Sequence, residues 1–292
     1  MNTLNDWCTW HYDEGKLRYE YAKYEGPTLS FHDALVENAK SIIDTFPGEP
    51  LSLMFSGGVD SELMLRAFIE VGHPFTVNVF RYDQNYNQYD VDFALKICGE
   101  LNVSPKIIDI NATHFYEHDA WDLSNKIKTG HFRALIQSTF VDYVDGIALY
   151  GTGDPRFYRP VDSYEEKVEW LVQDNEYETA WVNYAEDRKS IMWLRWHPAV
   201  ISSMMQLGWF RRLINDEYFG KLGVNSTKVI GYRDAYPDLA SRIKKTGFEE
   251  MDHLVLPLQT KHDEIYGDSR RQTAEMTVSE LERKLWGTSE NF

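Results

Sequence analysis

Residues 51–61 read Leu51-Ser52-Leu53-Met54-Phe55-Ser56-Gly57-Gly58-Val59-Asp60-Ser61, a short apolar strand running straight into a glycine pair. An amphipathic helix is expected over 60–71 (DSELMLRAFIEV). The two glycines let the chain turn tightly and let a bulky ligand approach the backbone. The N–H groups of residues 58–61 then sit at a helix amino terminus, where both the unpaired amides and the helix dipole favour an anion. A phosphate suits such a place, the more so because ligands of open α/β sheets bind beyond the carboxyl ends of the strands. It is not a Walker loop, since Gly58 is followed by Val59 and Asp60 where that motif needs lysine and a hydroxyl residue. Asp60 would repel a bare phosphate; it is tolerated as a helix cap or where magnesium bridges it to the phosphates. The plainer reading is a strand-to-helix turn capped by Asp60 or Ser61.

Outward from the loop, strand and helix alternate. A hairpin is expected from Thr9-Trp10-His11-Tyr12 through Asp13-Glu14-Gly15 to Lys16–Tyr21. A helix capped by Ser30 follows, with Ala34, Leu35, Ala39, Ile42, Ile43 and Phe46 at helical spacing, and Pro47-Gly48-Glu49-Pro50 stops it. Strands are expected at 51–55, 75–80, 106–110 and 146–150, with helices over 60–71, 90–101 and a stretch ending near Val144. Such alternation implies an α/β fold, a parallel sheet with helices on both faces. Beyond Pro160 the periodicity is mostly helical, including one helix opened by Pro198 and running to Leu213. The expected units are a hairpin and helix over 1–48, an α/β core carrying the glycine loop over 49–158 and a helical subdomain over 159–292.

Composition narrows the function. The 292 residues carry 46 acidic and 30 basic side chains, a formal charge of −16 that argues against gripping nucleic acid across a broad face. Two cysteines, Cys8 and Cys98, build neither a disulfide framework nor a four-thiolate zinc site. No secretory leader and no apolar run long enough for a bilayer is visible, so a cytoplasmic location is expected. Residues 161–190 hold nine acids against three bases and are expected as a solvated helical surface. Residues 208–247 reverse the balance, with Arg211, Arg212, Lys221, Lys228, Arg233, Arg242, Lys244 and Lys245 against four acids.

Ser56-Gly57-Gly58-Val59-Asp60-Ser61 resembles the SGGxDS motif of the PP-loop, or N-type ATP pyrophosphatase, superfamily. The resemblance covers roughly residues 30–160 and implies an adenine nucleotide alpha-hydrolase-like, Rossmann-like fold that splits ATP between its α and β phosphates. Within the superfamily, FHDALVENAKSIIDTF leading into LSLMFSGGVDSELML, and YDVDFALKICGELNVSPKIIDI after it, look most like the synthetase domain of asparagine synthetase. By that resemblance Ser56, Gly57, Gly58, Val59, Asp60 and Ser61 hold the phosphates, and Asp60 and Asp154 hold magnesium. Val79 and Phe80 line the adenine, and Gly151 of Leu149-Tyr150-Gly151-Thr152-Gly153-Asp154 approaches the ribose or base. A lysine of the helical half steadies the leaving pyrophosphate in that family, and Lys244 and Lys245 are the residues carried over to that role. The chain departs from the pattern at Glu62, where a small hydroxyl residue is usual, and at Pro155-Arg156, which follow Asp154 in place of an acid. No glutaminase-like segment precedes the loop, so nitrogen would come from ammonia, another amine or an ammonia-supplying partner.

The expected function is an ATP- and magnesium-dependent synthetase that adenylates a small-molecule carboxylate and then transfers an amine or ammonia. Modification of tRNA or another nucleic acid through an adenylated base, and a nucleotide-binding protein without catalysis, are the alternatives. Other features are set against plainer readings. His114 and His118, four apart, suit a metal less well than surface or capping roles. Trp193, Trp196, Met204, Met205 and Trp209 read better as core than as a pocket. Arg156 and Arg159 read equally as phosphate contacts or as surface loop.

Overall fold

The computed structural model describes residues 2–3, 7–13, 16–153, 156–158, 171–173, 178–184, 189–206, 229, 231–239, 249–267 and 275–287. Near the amino terminus β1 (Asn2–Thr3), β2 (Cys8–Asp13) and β3 (Lys16–Tyr21) form an antiparallel sheet, with Trp10 opposite Tyr19 and Cys8 opposite Tyr21. Alternation along β3 buries Leu17, Tyr19 and Tyr21 on one face. Helix α1 (Phe31–Thr45) starts where Ser30 accepts a hydrogen bond from the Asp33 amide at 3.0 Å. Its apolar stripe, Phe31, Ala34, Leu35, Ala39 and Ile42, is buried, and the helix packs on α2 (Val59–Val71).

The central sheet comprises β4 (Leu51–Met54), β5 (Thr76–Tyr82), β6 (Lys106–Ile110) and β7 (Ile147–Tyr150), joined by a fifth strand from further along the chain. Helix α3 (Gln88–Glu100) links β5 to β6. Between β6 and β7 run α4 (Ala112–His114), a π-helical turn (Phe115–Asp119), α5 (Ala120–Ile127), α6 (Phe132–Ser138) and a 3-10 turn (Thr139–Tyr143). All neighbouring strands are parallel, and every residue of β4 and β7 is buried, as in a sheet covered on both faces.

The carboxy-terminal part is helical, as expected, but it also contributes strands. β8 (Arg156–Tyr158), β9 (Leu171–Gln173) and β11 (Glu275–Thr277) form a small antiparallel sheet. β10 (Ser190–Met192) joins the main sheet beside β7. The helical surface expected across 161–190 is therefore corrected at Leu171–Gln173. A three-residue strand is too short to show a period, and its partners lie at 156–158 and 275–277. Helices α7 (Glu178–Tyr184), α8 (Trp193–Trp196), α9 (Pro198–Gln206), α10 (Asp252–Tyr266) and α11 (Val278–Trp286) complete the described chain. Proline does open α9, whose expected extension to Leu213 lies outside the described residues. Trp193, Met204 and Met205 are core, as read; Trp209 lies outside the described residues.

In space the main sheet runs β10-β7-β4-β5-β6. Numbered along the chain, its strands lie in the order 5-4-1-2-3, the doubly wound arrangement whose direction of winding reverses between the first and fourth strands. In open sheets of this kind ligands bind at such a reversal, beyond the carboxyl ends of the flanking strands, here β4 and β7.

Candidate nucleotide site

β4 ends at that reversal, and residues 55–58 turn there into α2. Phe55 is still tied to the sheet, its amide donating to the Asn78 carbonyl at 2.8 Å. Gly57 then takes φ +67°, the left-handed region that side chains avoid. A methyl group there would also lie 3.0 Å from the Ala94 backbone nitrogen of α3. Gly58 caps α2 in an extended conformation without a side chain of its own. The serines brace the turn: Ser61 Oγ donates to the Gly58 carbonyl at 2.9 Å, and the Gly58 amide donates to Ser56 Oγ at 3.3 Å. Glycine thus sets the loop's shape, and short hydroxyls hold it while the first-turn amides of α2 lie outside the helix's own ladder.

The fourth strand closes the other side. A methyl group on Gly151 would lie 2.6 Å from Ser61 Cα and 2.7 Å from its nitrogen, so β7 delivers bare backbone against the loop. Gly153, at φ +105°, meets Arg195 and Met192 in the same way beyond β10. Asp154, expected as a second magnesium ligand, lies outside the described residues, as do Lys244 and Lys245. Asp60 is at the site and half-buried. A hard carboxylate oxygen beside open helix amides is the kind of ligand magnesium takes, one or two at a time, where phosphate and water complete its shell. Among the described residues no cluster of three or more His, Cys, Asp or Glu stands ready for a metal by itself.

Val79 and Phe80, expected to line the adenine, are buried strand residues. Val79 pairs with Ile107, and Phe80 stacks on Phe140 at 3.8 Å and 6° while its carbonyl accepts from Asn87 Nδ2 at 2.9 Å.

Glu62, the departure next to Asp60-Ser61, has a structural partner. It is 4% exposed and meets Arg66 one turn on, at 2.8 Å to Nε and 2.7 Å to Nη2. Arg66 also reaches Asp238 at 3.0 Å, and the two carboxylates raise its already high pKa against the opposing effect of burial. The 231–239 turn carrying Asp238 packs on α1 and α2. Tyr232 is fully buried 5.6 Å from Phe31, and its hydroxyl donates to Asp60 Oδ1 at 2.7 Å. Tyr236 lies beneath Arg66 at 5.6 Å and edge-on to His32. Arg233, one of the bases of the 208–247 stretch, donates to the Leu239 carbonyl of its own turn at 2.9 Å. Sequence reading missed this turn's role; its one local signal was the Tyr232–Tyr236 spacing of four, a single aromatic face.

Further from the loop, Arg195 of α8 is fully buried. It pairs with Glu178 at 3.0 Å, lies over the Tyr19 ring at 3.7 Å and donates to the Tyr21 hydroxyl, tying the amino-terminal hairpin to the sheet. Both cysteines are buried, and burial pushes the Cys98 thiol up to about 11, so neither is an accessible nucleophile. His114, at the end of α4, and His118, on the π-helical turn, are both exposed, with rings 4.6 Å apart. No helix among the described residues is long and apolar enough to cross a membrane.

With a parallel sheet in this order and an SGGxDS loop at the point where its winding reverses, the chain resembles the PP-loop, or N-type ATP pyrophosphatase, superfamily. Within that class, residues 52–149 match the family described as "Queuosine biosynthesis protein QueC". The chain is 31% identical over 86 residues to "7-cyano-7-deazaguanine synthase 2" of Colwellia psychrerythraea, a match covering 29% of this chain. It spans about two fifths (39%) of the length of that curated relative. Among solved structures, it is similar to an NH3-dependent NAD synthetase from Campylobacter jejuni (TM-score 0.34, 14% identity, 74% of this chain and 98% of that one). It is also similar to NMN synthetase from Francisella tularensis (TM-score 0.35, 17% identity, 84% and 95%). The likeness to asparagine synthetase expected from sequence is not among these matches; the family match points to QueC.

Proposed function

We propose that the chain is an ATP-dependent, AMP-forming synthetase. The observation that carries this is the SGGVDS loop at the sheet's winding reversal, between the ends of β4 and β7, with Gly151 packed on Ser61 and Asp60 at its edge. The amides at 58–61 would hold the phosphates, and Asp60 would hold magnesium, which when bound offsets the charge of the departing pyrophosphate. An acceptor oxygen, most simply of a carboxylate, attacks the α-phosphorus; the bond to the β-phosphate oxygen breaks and pyrophosphate leaves. Ammonia or an amine then attacks the adenylated carbon, and AMP leaves with the acceptor oxygen.

The acceptor is small on this reading, since a chain of net charge −16 is poorly suited to a long polyanion. A carboxylated 7-deazaguanine heads the panel, because a nitrile carbon such as that of 7-cyano-7-deazaguanine has the oxidation level of a carboxylate. The test is incubation of the protein with ATP labelled at the α-phosphate, magnesium, ammonia and carboxylates labelled with heavy oxygen. The expected products are labelled AMP and pyrophosphate, with one heavy oxygen transferred to AMP. Formation of ADP, or tight ATP binding without turnover across the panel, would remove the synthetase reading. Turnover only with tRNA would move the acceptor to nucleic acid.

A further inference from the structure

We infer that Tyr232 is a positioning residue of the nucleotide site, holding the Asp60 carboxylate where it serves magnesium. This rests on the ATP-binding reading above. The hydroxyl donates to Asp60 Oδ1 at 2.7 Å from a ring that is fully buried. A carboxylate has about four lone-pair positions, so the bond from Tyr232 restrains its rotation while using only one of them. The ring is itself held from several sides. It packs against Phe31, and its turn is pinned to α2 by Arg66–Asp238 at 3.0 Å and by the Tyr236 hydroxyl, 3.5 Å from Glu70 Oε2. Glu70 in turn lies 2.9 Å from His32 Nε2 on α1. Anchored this way, the turn presents one polar atom at a fixed point beside the loop. Phenylalanine would fill the same volume, so the hydroxyl is separable from the packing.

The test is calorimetric binding of a non-cleavable α,β-methylene ATP, titrated with magnesium and repeated in EDTA. Tyr232→Phe should raise the magnesium concentration at half-effect by about tenfold, the scale of a hydrogen bond to a charged group. Binding in EDTA and the melting temperature should stay close to those of the native protein. In an Asp60→Asn background the same substitution should add nothing, because the two groups act as one unit. An unchanged magnesium dependence in Tyr232→Phe, or an equal loss in magnesium and in EDTA, would overturn the inference. Failure of the native protein to bind the analogue under any condition would instead remove the ATP reading, and the inference with it. Native binding with no magnesium dependence would keep the ATP reading and remove Tyr232's role alone.

Discussion

The loop at 56–61 and the turn at 231–239 meet at Asp60, yet different physics shapes them. The loop is set by missing side chains: Gly57 in the left-handed region, Gly58 as a bare cap, and Gly151 backed against Ser61. The turn is set by side chains that are present, Tyr232, Tyr236 and Asp238, each reaching α1 or α2. A backbone device is sensitive to added atoms, whereas a side-chain device is sensitive to removed ones. Substitutions on the two sides should therefore fail in opposite ways.

The largest effect is expected where the turn's anchor also serves a buried charge. Arg66→Ala leaves Glu62, 4% exposed, without its arginine partner, and should cost about 3 kcal/mol in denaturant unfolding. Glu62→Gln in the same chain should recover part of that loss, because the buried charge that Arg66 balanced is then gone. If the single change costs no more than a surface mutation, Glu62 is not held by Arg66 and the turn's anchorage has been misjudged.

On the loop side, Gly151→Ala places a methyl group 2.6 Å from Ser61 Cα, where only backbone can give way. A loss of about 1–3 kcal/mol is expected from such overpacking, together with a fall in ATP affinity, since the displaced atoms belong to the cradle itself. Gly57→Ala should cost about 1–2 kcal/mol from its left-handed backbone. Gly99, inside α3 with nothing within 4 Å, is the control: its change to alanine should be neutral or stabilise by about 0.5–1 kcal/mol. Melting and ATP titration of the three variants separate the cases. Equal behaviour of Gly99→Ala and Gly151→Ala would break the contrast.

The same contrast explains what the sequence discloses. Four main strands, their helices and the loop are legible because each is local: a period, a cap at Ser30, or a glycine pair after a strand. The 56–61 turn, with Asp60 in the first turn of the helix, follows from that local pattern. Tyr232 is invisible at that level, since its meaning lies in a hydroxyl 172 positions away from Asp60 in sequence. β10 and the β8-β9-β11 sheet escape for the same reason, being three-residue strands defined only by distant partners. The buried Arg195 also reads as surface by residue type, until Glu178 and the Tyr19 ring enclose it.

The smallest effect separates the two halves of Arg66's pairing. Asp238 is 70% exposed on its side chain, so water and salt screen its contact with Arg66 despite the 3.0 Å distance. Asp238→Asn should cost about 0.5 kcal/mol or less, and that small loss should fade as salt is raised towards 1 M. The guanidinium keeps Glu62 and its position over Tyr236, so the turn should stay in place and Tyr232 should still reach Asp60. ATP affinity in Asp238→Asn should accordingly match the native value. A large, salt-insensitive loss would show that the exposed carboxylate is itself an anchor, and that aromatic packing alone does not hold the turn against α2.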